Sequence, residues 1–170
     1  MYIFKKADIT FLDILHNLMK DTFIQAYENI HSEENIVRYL NKNVTTKLVS
    51  TILSSETFSC TIVFKRNKPL GFFILKDKEC PFNINNTSLE LKQLYILKSE
   101  YNIGLGKVLF TNAVKITKTL SKKYIWLTVS DSNIQAKSFY EKTGFKKLGR
   151  GNKISVGTDT LSSTVMIYKI

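Results

Sequence analysis

The stretch from Ser88 to Val129 constrains the fold more than any other. Residues 88 to 97, Ser-Leu-Glu-Leu-Lys-Gln-Leu-Tyr-Ile-Leu, alternate polar and apolar side chains and then turn wholly apolar. That pattern predicts a strand half exposed at its start and buried at its end. A glycine-bearing loop follows, and then an amphipathic helix over about residues 105 to 120. Leu105, Val108, Leu109, Ala113, Ile116 and Leu120 mark its buried stripe. Residues 124 to 129, Tyr-Ile-Trp-Leu-Thr-Val, predict another buried strand. Strand, loop, helix and strand in this order need a sheet with a helix packed on its face.

The flanking segments extend that sheet. Residues 2 to 6 read as a short first strand. Phe11, Ile14, Leu15, Leu18, Met19, Thr22 and Phe23 recur at helical spacing. Ser32 can cap a second helix whose first turn carries Glu33 and Glu34, and residues 45 to 54 suggest a third. Residues 57 to 65 and 70 to 76 are rich in β-branched and aromatic types around the turn Arg66-Asn67-Lys68-Pro69, which predicts an antiparallel pair. Residues 77 to 88 are the most loop-like stretch. Ser130-Asp131 can cap a helix of about 132 to 142 that stops at Gly144, and two strands follow near 145 to 150 and 161 to 169. The reading is a mixed α/β architecture, a mostly antiparallel sheet of about six to seven strands with helices on both faces. Residues 1 to 170 form one domain, with no repeat and no linker.

Charge narrows the partners. Lysine and arginine number 25 against 14 aspartates and glutamates, a formal charge of +11. Such a balance suits anionic ligands, or is ordinary solvated surface. Nucleic-acid binding is disfavoured, because the chain has no zinc spacing, no RNP-like aromatic strand and no long basic block. Cys60 and Cys80 make no CxxC, and His16 and His31 lie far from them, so no metal site is expected. Two packed thiols in a reducing compartment fit this usage, with a single disulfide as the alternative. No apolar run reaches the roughly 18 residues of a membrane span. Charges at Lys5 and Lys6 interrupt any signal-peptide core, which points to the cytoplasm.

Two stretches carry chemistry. In Tyr101-Asn-Ile-Gly104-Leu-Gly106-Lys107, glycines allow close backbone approach, and the first N–H groups of a helix make an anion site. Lys107 stands where the helix dipole disfavours a cation, a conflict that an anionic ligand resolves. The pattern is neither Gly-x-Gly-x-x-Gly, since residue 109 is leucine, nor a P-loop, so a plain tight turn explains it equally well alone. In the second stretch, Asn133, Ala136 and Tyr140 share one helical face. Tyr140 is a candidate proton donor, or a core aromatic beside Phe139.

Together the two motifs resemble the GNAT superfamily of acetyl-CoA-dependent N-acetyltransferases. Tyr101-Asn-Ile-Gly104-Leu-Gly106 is similar to its Q/R-x-x-G-x-G/A loop. Asn133-Ile-Gln-Ala136-Lys-Ser-Phe139-Tyr140-Glu-Lys142-Thr-Gly144-Phe145 is similar to N-x-x-A-x-x-F/L-Y-x-x-x-G-F. Tyr101 departs from the usual Gln or Arg. Further likeness to the bacterial PaiA-type spermidine/spermine N-acetyltransferases lies in Asp21 to Leu40, Leu89-Glu90-Leu91, Tyr95-Ile96, Ile125-Trp126-Leu127 and Gly157-Thr158-Asp159.

The resemblance implies the GNAT fold and transfer of acetyl from acetyl-CoA straight to a primary amine. The acceptor it implies is a polyamine such as spermidine or spermine. It places pantetheine along Ile96, Leu97 and Lys98. It places pyrophosphate on the amides of Tyr101, Asn102, Ile103, Gly104, Leu105, Gly106 and Lys107, with Val108 nearby. Asn133 bonds the pantetheine arm or orders the site, and Ala136 gives room. Lys142 reaches the adenosine phosphate or is simply solvated. Tyr140 protonates the departing thiolate, the backbone N–H near Leu97 steadies the oxyanion, and Glu90 is the candidate base. Otherwise Glu90 is a surface carboxylate paired with a lysine.

A polycation is repelled by the net charge unless acids cluster locally. Asp21, Glu28, Glu33 and Glu34 are the candidates, or are plain surface charges. The competing readings are acetylation of another amine, such as a peptide N-terminus, amino sugar or drug, and a silent CoA-binding sensor. A homodimer is compatible with the family.

Overall fold

The computed structural model describes residues 1–84 and 87–170; residues 85 and 86, inside the expected loop 77–88, lie outside the description. Its elements run β1 (Ile3–Lys6), α1 (Leu12–Tyr27), α2 (Glu33–Asn43), α3 (Thr46–Ser54), β2 (Phe58–Lys65), β3 (Lys68–Lys76) and β4 (Ser88–Ile96). They continue with α4 (Leu105–Thr119), β5 (Tyr124–Ser130), α5 (Ile134–Lys142), β6 (Lys146–Arg150), β7 (Ile154–Val156), β8 (Asp159–Leu161) and β9 (Ser163–Lys169). Seven strands form one sheet in the order β1-β2-β3-β4-β5-β9-β6. Every pair in it is antiparallel except β4 with β5.

Alternation along the strands divides the core into two layers. Phe73 and Leu75 face α4 and α5, where Leu105, Leu109, Ala113, Tyr140 and Phe145 pack. Phe72 and Ile74 face the opposite way, onto Leu15, Leu18 and Phe23 of α1, Ile36 and Leu40 of α2 and Val49 of α3. Leu105 and Leu109 are fully buried. Truncating either to alanine costs about 2–5 kcal/mol. The expected stripe is displaced at two points: Val108 and Leu120 are exposed, while Phe110 is buried. Cys60 is buried, Cys80 is half-buried, and both thiols are unpaired. Burial pushes the Cys60 thiol up to about 12.

Three local expectations are corrected. Strand β4 is buried at its start, over Ser88 to Leu91, and more open from Lys92 onward, the reverse of the sequence pattern. The cause is β5, which pairs with β4 only at Ser88, Leu89 and Glu90 and then parts from it. The cap of α5 is Asn133, whose side chain accepts from the Ala136 N–H at 3.0 Å. Ser130 is still in β5, and Asp131 takes Lys137 and the Thr164 hydroxyl instead. Between β6 and β9 the chain forms an additional antiparallel hairpin, β7–β8.

Among the described residues, no helix is long and apolar enough to cross a membrane.

Candidate active site

Where β4 and β5 part, the sheet opens. Two cavities enter the opening, one of about 590 Å³ and one of about 200 Å³. Leu94, Tyr95, Asn133, Ala136 and Tyr140 line both, so the cavities meet there.

The larger cavity lies between the loop after β4 and the start of α5. Tyr101, Asn102, Gly104, Leu105, Gly106 and Lys107 form one wall. Gly104 has φ +88°, a left-handed conformation that glycine tolerates and other residues resist. Its place just before α4 leaves the helix start without a side-chain cap, so the first-turn N–H groups are available to a ligand. Gly106 leaves room of another kind. A Cβ there would stand 3.2 Å from the Phe139 ring. Lys142 lines the far wall, so two lysines and the helix dipole face one space, with Glu100 the acidic residue on its border. This cradle fits a phosphate-bearing ligand. Among the described residues no cluster of three metal-ligating side chains occurs.

Not every expected residue lines the opening. Ile96 does; Leu97, Lys98, Ile103 and Val108 do not. Ile103 and Val108 are exposed. The Lys98 N–H donates to Gln25 Oε1 at 2.7 Å and its ammonium meets Glu28 at 2.6 Å, which ties this turn to α1. The Leu97 N–H donates to the Leu70 carbonyl at 2.8 Å, so it is engaged and does not serve an oxyanion. Backbone groups alternate sides along a strand, so the Ile96 and Leu94 N–H and C=O groups turn away from β3 toward the opening. These are the backbone groups on offer there.

Tyr140 is buried, with its ring against Phe139 and Phe145 at 5.2 and 5.3 Å. Burial first, and then the nearby Tyr27, push its hydroxyl above the usual phenol range, so it keeps its proton at neutral pH. Asn133 combines its capping carbonyl with an amide that donates to Tyr27 Oη at 3.4 Å, fixing α5 against α1. Ala136 lies where both cavities pass.

The smaller cavity is lined by rings from α1 and α2, by Tyr95, and by Ile154, Val156 and Leu161 of the hairpin. Its one charged lining residue among those described is Lys92. Asp21, Glu28, Glu33 and Glu34 line neither cavity, and all four are exposed. Glu28 pairs with Lys98 and Glu34 with Arg38. Glu90 sits at the closed end of the opening, buried and outside both cavities. Its nearest cation is Lys78 at 3.9 Å rather than Lys92. Its Oε2 has no hydrogen-bond partner among the described residues.

The sequence reading missed several residues of the site. Ser138 and Thr143 of the α5 region join Lys142 in the larger cavity. Tyr27, Tyr39 and the hairpin residues line the smaller one. Helical spacing of four from Lys142 could have found Ser138. The hairpin left no signal beyond its turn glycine, Gly157.

The sequence model of the acetyltransferase (GNAT) family matches residues 14–145, a span that holds both the opened strand pair and the glycine-led helix start. The chain belongs to the GNAT acetyltransferase family. It is an acetyl-CoA-dependent N-acetyltransferase, with acetyl-CoA as cosubstrate. It is 31% identical over 147 residues to a spermidine N(1)-acetyltransferase of Thermoplasma acidophilum, a match covering 84% of this chain and 86% of that one. It is 27% identical over 133 residues, 76% of each chain, to an uncharacterised N-acetyltransferase of Lactobacillus delbrueckii subsp. lactis. In fold it is similar to the PaiA N-acetyltransferase of Thermoplasma acidophilum, whose crystal structure is a complex with coenzyme A. The TM-score is 0.83 at 24% identity, covering 100% of this chain and 99% of that one. A probable acetyltransferase from Staphylococcus epidermidis is similar too, with TM-score 0.76 at 20% identity and 99% of each chain covered.

Proposed function

We propose that this enzyme moves acetyl from acetyl-CoA directly to a primary amine that arrives through the smaller cavity. The observation that carries the reading is the shared wall of Leu94, Tyr95, Asn133, Ala136 and Tyr140. A ligand in one cavity and a ligand in the other meet at that wall. In this reading the first-turn amides of α4, with Lys107 and Lys142, hold the phosphates, and the backbone groups of Leu94 and Ile96 hold the arm that reaches the wall. Bound acetyl-CoA supplies an activated acyl carbon.

Alkyl amines have a pKa of roughly 10.4 by analogy with lysine, so the amine must lose a proton to attack. Glu90 lies outside the cavities, so it takes that proton through water rather than by contact. The amine nitrogen forms the new C–N bond, and the C–S bond breaks. A backbone N–H of Leu94 or Ile96 steadies the charge on the carbonyl oxygen. Tyr140 gives its proton to the leaving thiolate, and the proton that the acylated nitrogen sheds restores the phenol through water.

Similarity to the Thermoplasma spermidine acetyltransferase supports a polyamine acceptor such as spermidine or spermine. A second reading has its own observation. The smaller cavity is walled by rings and aliphatic side chains together with the hydroxyl groups of Tyr27, Tyr39, Thr128 and Ser130 and the amides of Gln93 and Asn133, and its only charge among the described residues is the cation Lys92. A lining with no acidic side chain favours an amine with one ammonium group over a chain of several. Acetyl-CoA-dependent thiol release across spermidine, spermine, putrescine, phenylethylamine, a lysine peptide and an aminoglycoside separates the two. Selective turnover of spermidine or spermine supports the polyamine acceptor. Turnover of phenylethylamine alone replaces it with a monoamine.

A further inference from the structure

Between Leu91 and Gln93, strand β4 carries one residue too many. Leu91 lies opposite Leu75 and Gln93 opposite Ile74, so Lys92 is a bulge with no partner on β3. A bulge resets the alternation of side chains along its strand. Leu89 and Leu91 face the α4 layer before it, and Leu94 and Ile96 face that layer after it. Glu90 stands opposite Lys76 and Gln93 opposite Ile74, which places both side chains on the α1 face. Without the extra residue, Gln93 would point at α4.

The bulge therefore sends the Gln93 amide toward the smaller cavity. Gln93 lines the smaller cavity beside Tyr95. Its Oε1 is buried and has no hydrogen-bond partner among the described residues. A buried carbonyl oxygen without a donor is rare in a native fold and costs the desolvation of that oxygen. The hydroxyls and the amide around the cavity leave it uncompensated. Primary amines carry the N–H donors it lacks.

We propose that Gln93 is the residue that positions the acceptor amine, its Oε1 accepting one amine N–H while the nitrogen lone pair is left for attack. The proposal rests on the reading that an amine is acetylated in the smaller cavity, and it holds for either acceptor class. Gln93 contributes no proton and forms no covalent bond; it fixes the nitrogen near the shared wall, with Glu90 on the same face of β4 to take the proton through water.

The test is steady-state kinetics on the amine that the wild type turns over best. Gln93→Leu is expected to raise KM for the amine about tenfold, the scale of one lost hydrogen bond. KM for acetyl-CoA should stay within about threefold of wild type. Gln93→Glu, which keeps an oxygen at the same reach, should restore the amine KM. If Gln93→Leu loses its cooperative melting transition, Gln93→Met offers the same length without the acceptor. An unchanged amine KM in the Leu or Met variant of an active enzyme overturns the role of Gln93 alone. A wild type that binds CoA and acetylates no amine overturns the acceptor reading, and this proposal with it.

Discussion

His31 and Asp159, 128 positions apart in the chain, meet with Nδ1 and Oδ2 2.7 Å apart. The contact joins the turn after α1 to the β7–β8 hairpin. Asn35 adds a second tie, its Oδ1 accepting from the Thr158 N–H and hydroxyl at 3.0 and 3.1 Å. Since Ile154, Val156 and Leu161 wall the smaller cavity, these ties hold that wall in place. Asp159→Ala should speed amide exchange over residues 154–161 by about tenfold and raise KM for the amine. CoA affinity should not change. Hydrogen exchange with CoA titration checks both, and unchanged exchange would show that the hairpin needs no latch.

Gly104 sits at φ +88° with open space where a Cβ would go, so a substitution there acts through backbone conformation rather than a clash. Gly104→Ala should lower stability by about 1–2 kcal/mol, the cost of a left-handed L-residue. It should also weaken CoA binding, because the α4 N–H groups shift. Urea unfolding and calorimetric CoA titration measure the two effects. Loss of stability with full CoA affinity would remove the loop amides from phosphate binding.

Asp131 links β5, α5 and β9. Hydrogen bonds from Thr164, Ser162 and Lys137, in that order of weight, hold its carboxyl down to about 2. In the unfolded chain the same group titrates at roughly 3.9. A depressed carboxyl stabilises the fold above the unfolded value and loses that contribution as pH falls through the folded one. Asp131→Asn should therefore melt below wild type at neutral pH by a constant margin. The margin should shrink from about pH 4 toward pH 2. Melting curves across that range check it, and a margin independent of pH would contradict it.

Much of the fold was legible from residue type alone. Ser32 caps α2 as its place before Glu33 and Glu34 predicts, accepting from the Asn35 N–H at 3.3 Å. The β2–β3 pair and the glycine-led start of α4 follow from local pattern as well. What escaped depended on neighbours far along the chain. The open end of β4 is set by where β5 stops pairing, 36 positions away from Glu90 at Trp126. The bulge at Lys92, which aims Gln93, exists only relative to β3. The Leu97 N–H was expected at the site, and Leu70 holds it elsewhere. The short hairpin over the smaller cavity is fixed by His31 and Asn35, contacts that no window of sequence contains.

Acetyl transfer at the wall shared by the two cavities is tested most directly by Tyr140→Phe, because the change deletes one hydroxyl from a buried ring and leaves its packing intact. The measurement is kcat for acetyl-CoA-dependent thiol release with a turned-over amine, beside the dissociation constant for acetyl-CoA. With Tyr140 as proton donor, kcat should fall about a hundredfold while acetyl-CoA affinity and melting temperature stay near wild type. A Phe variant that keeps the wild-type kcat would contradict the assignment and leave Tyr140 a packing residue at the cavity junction.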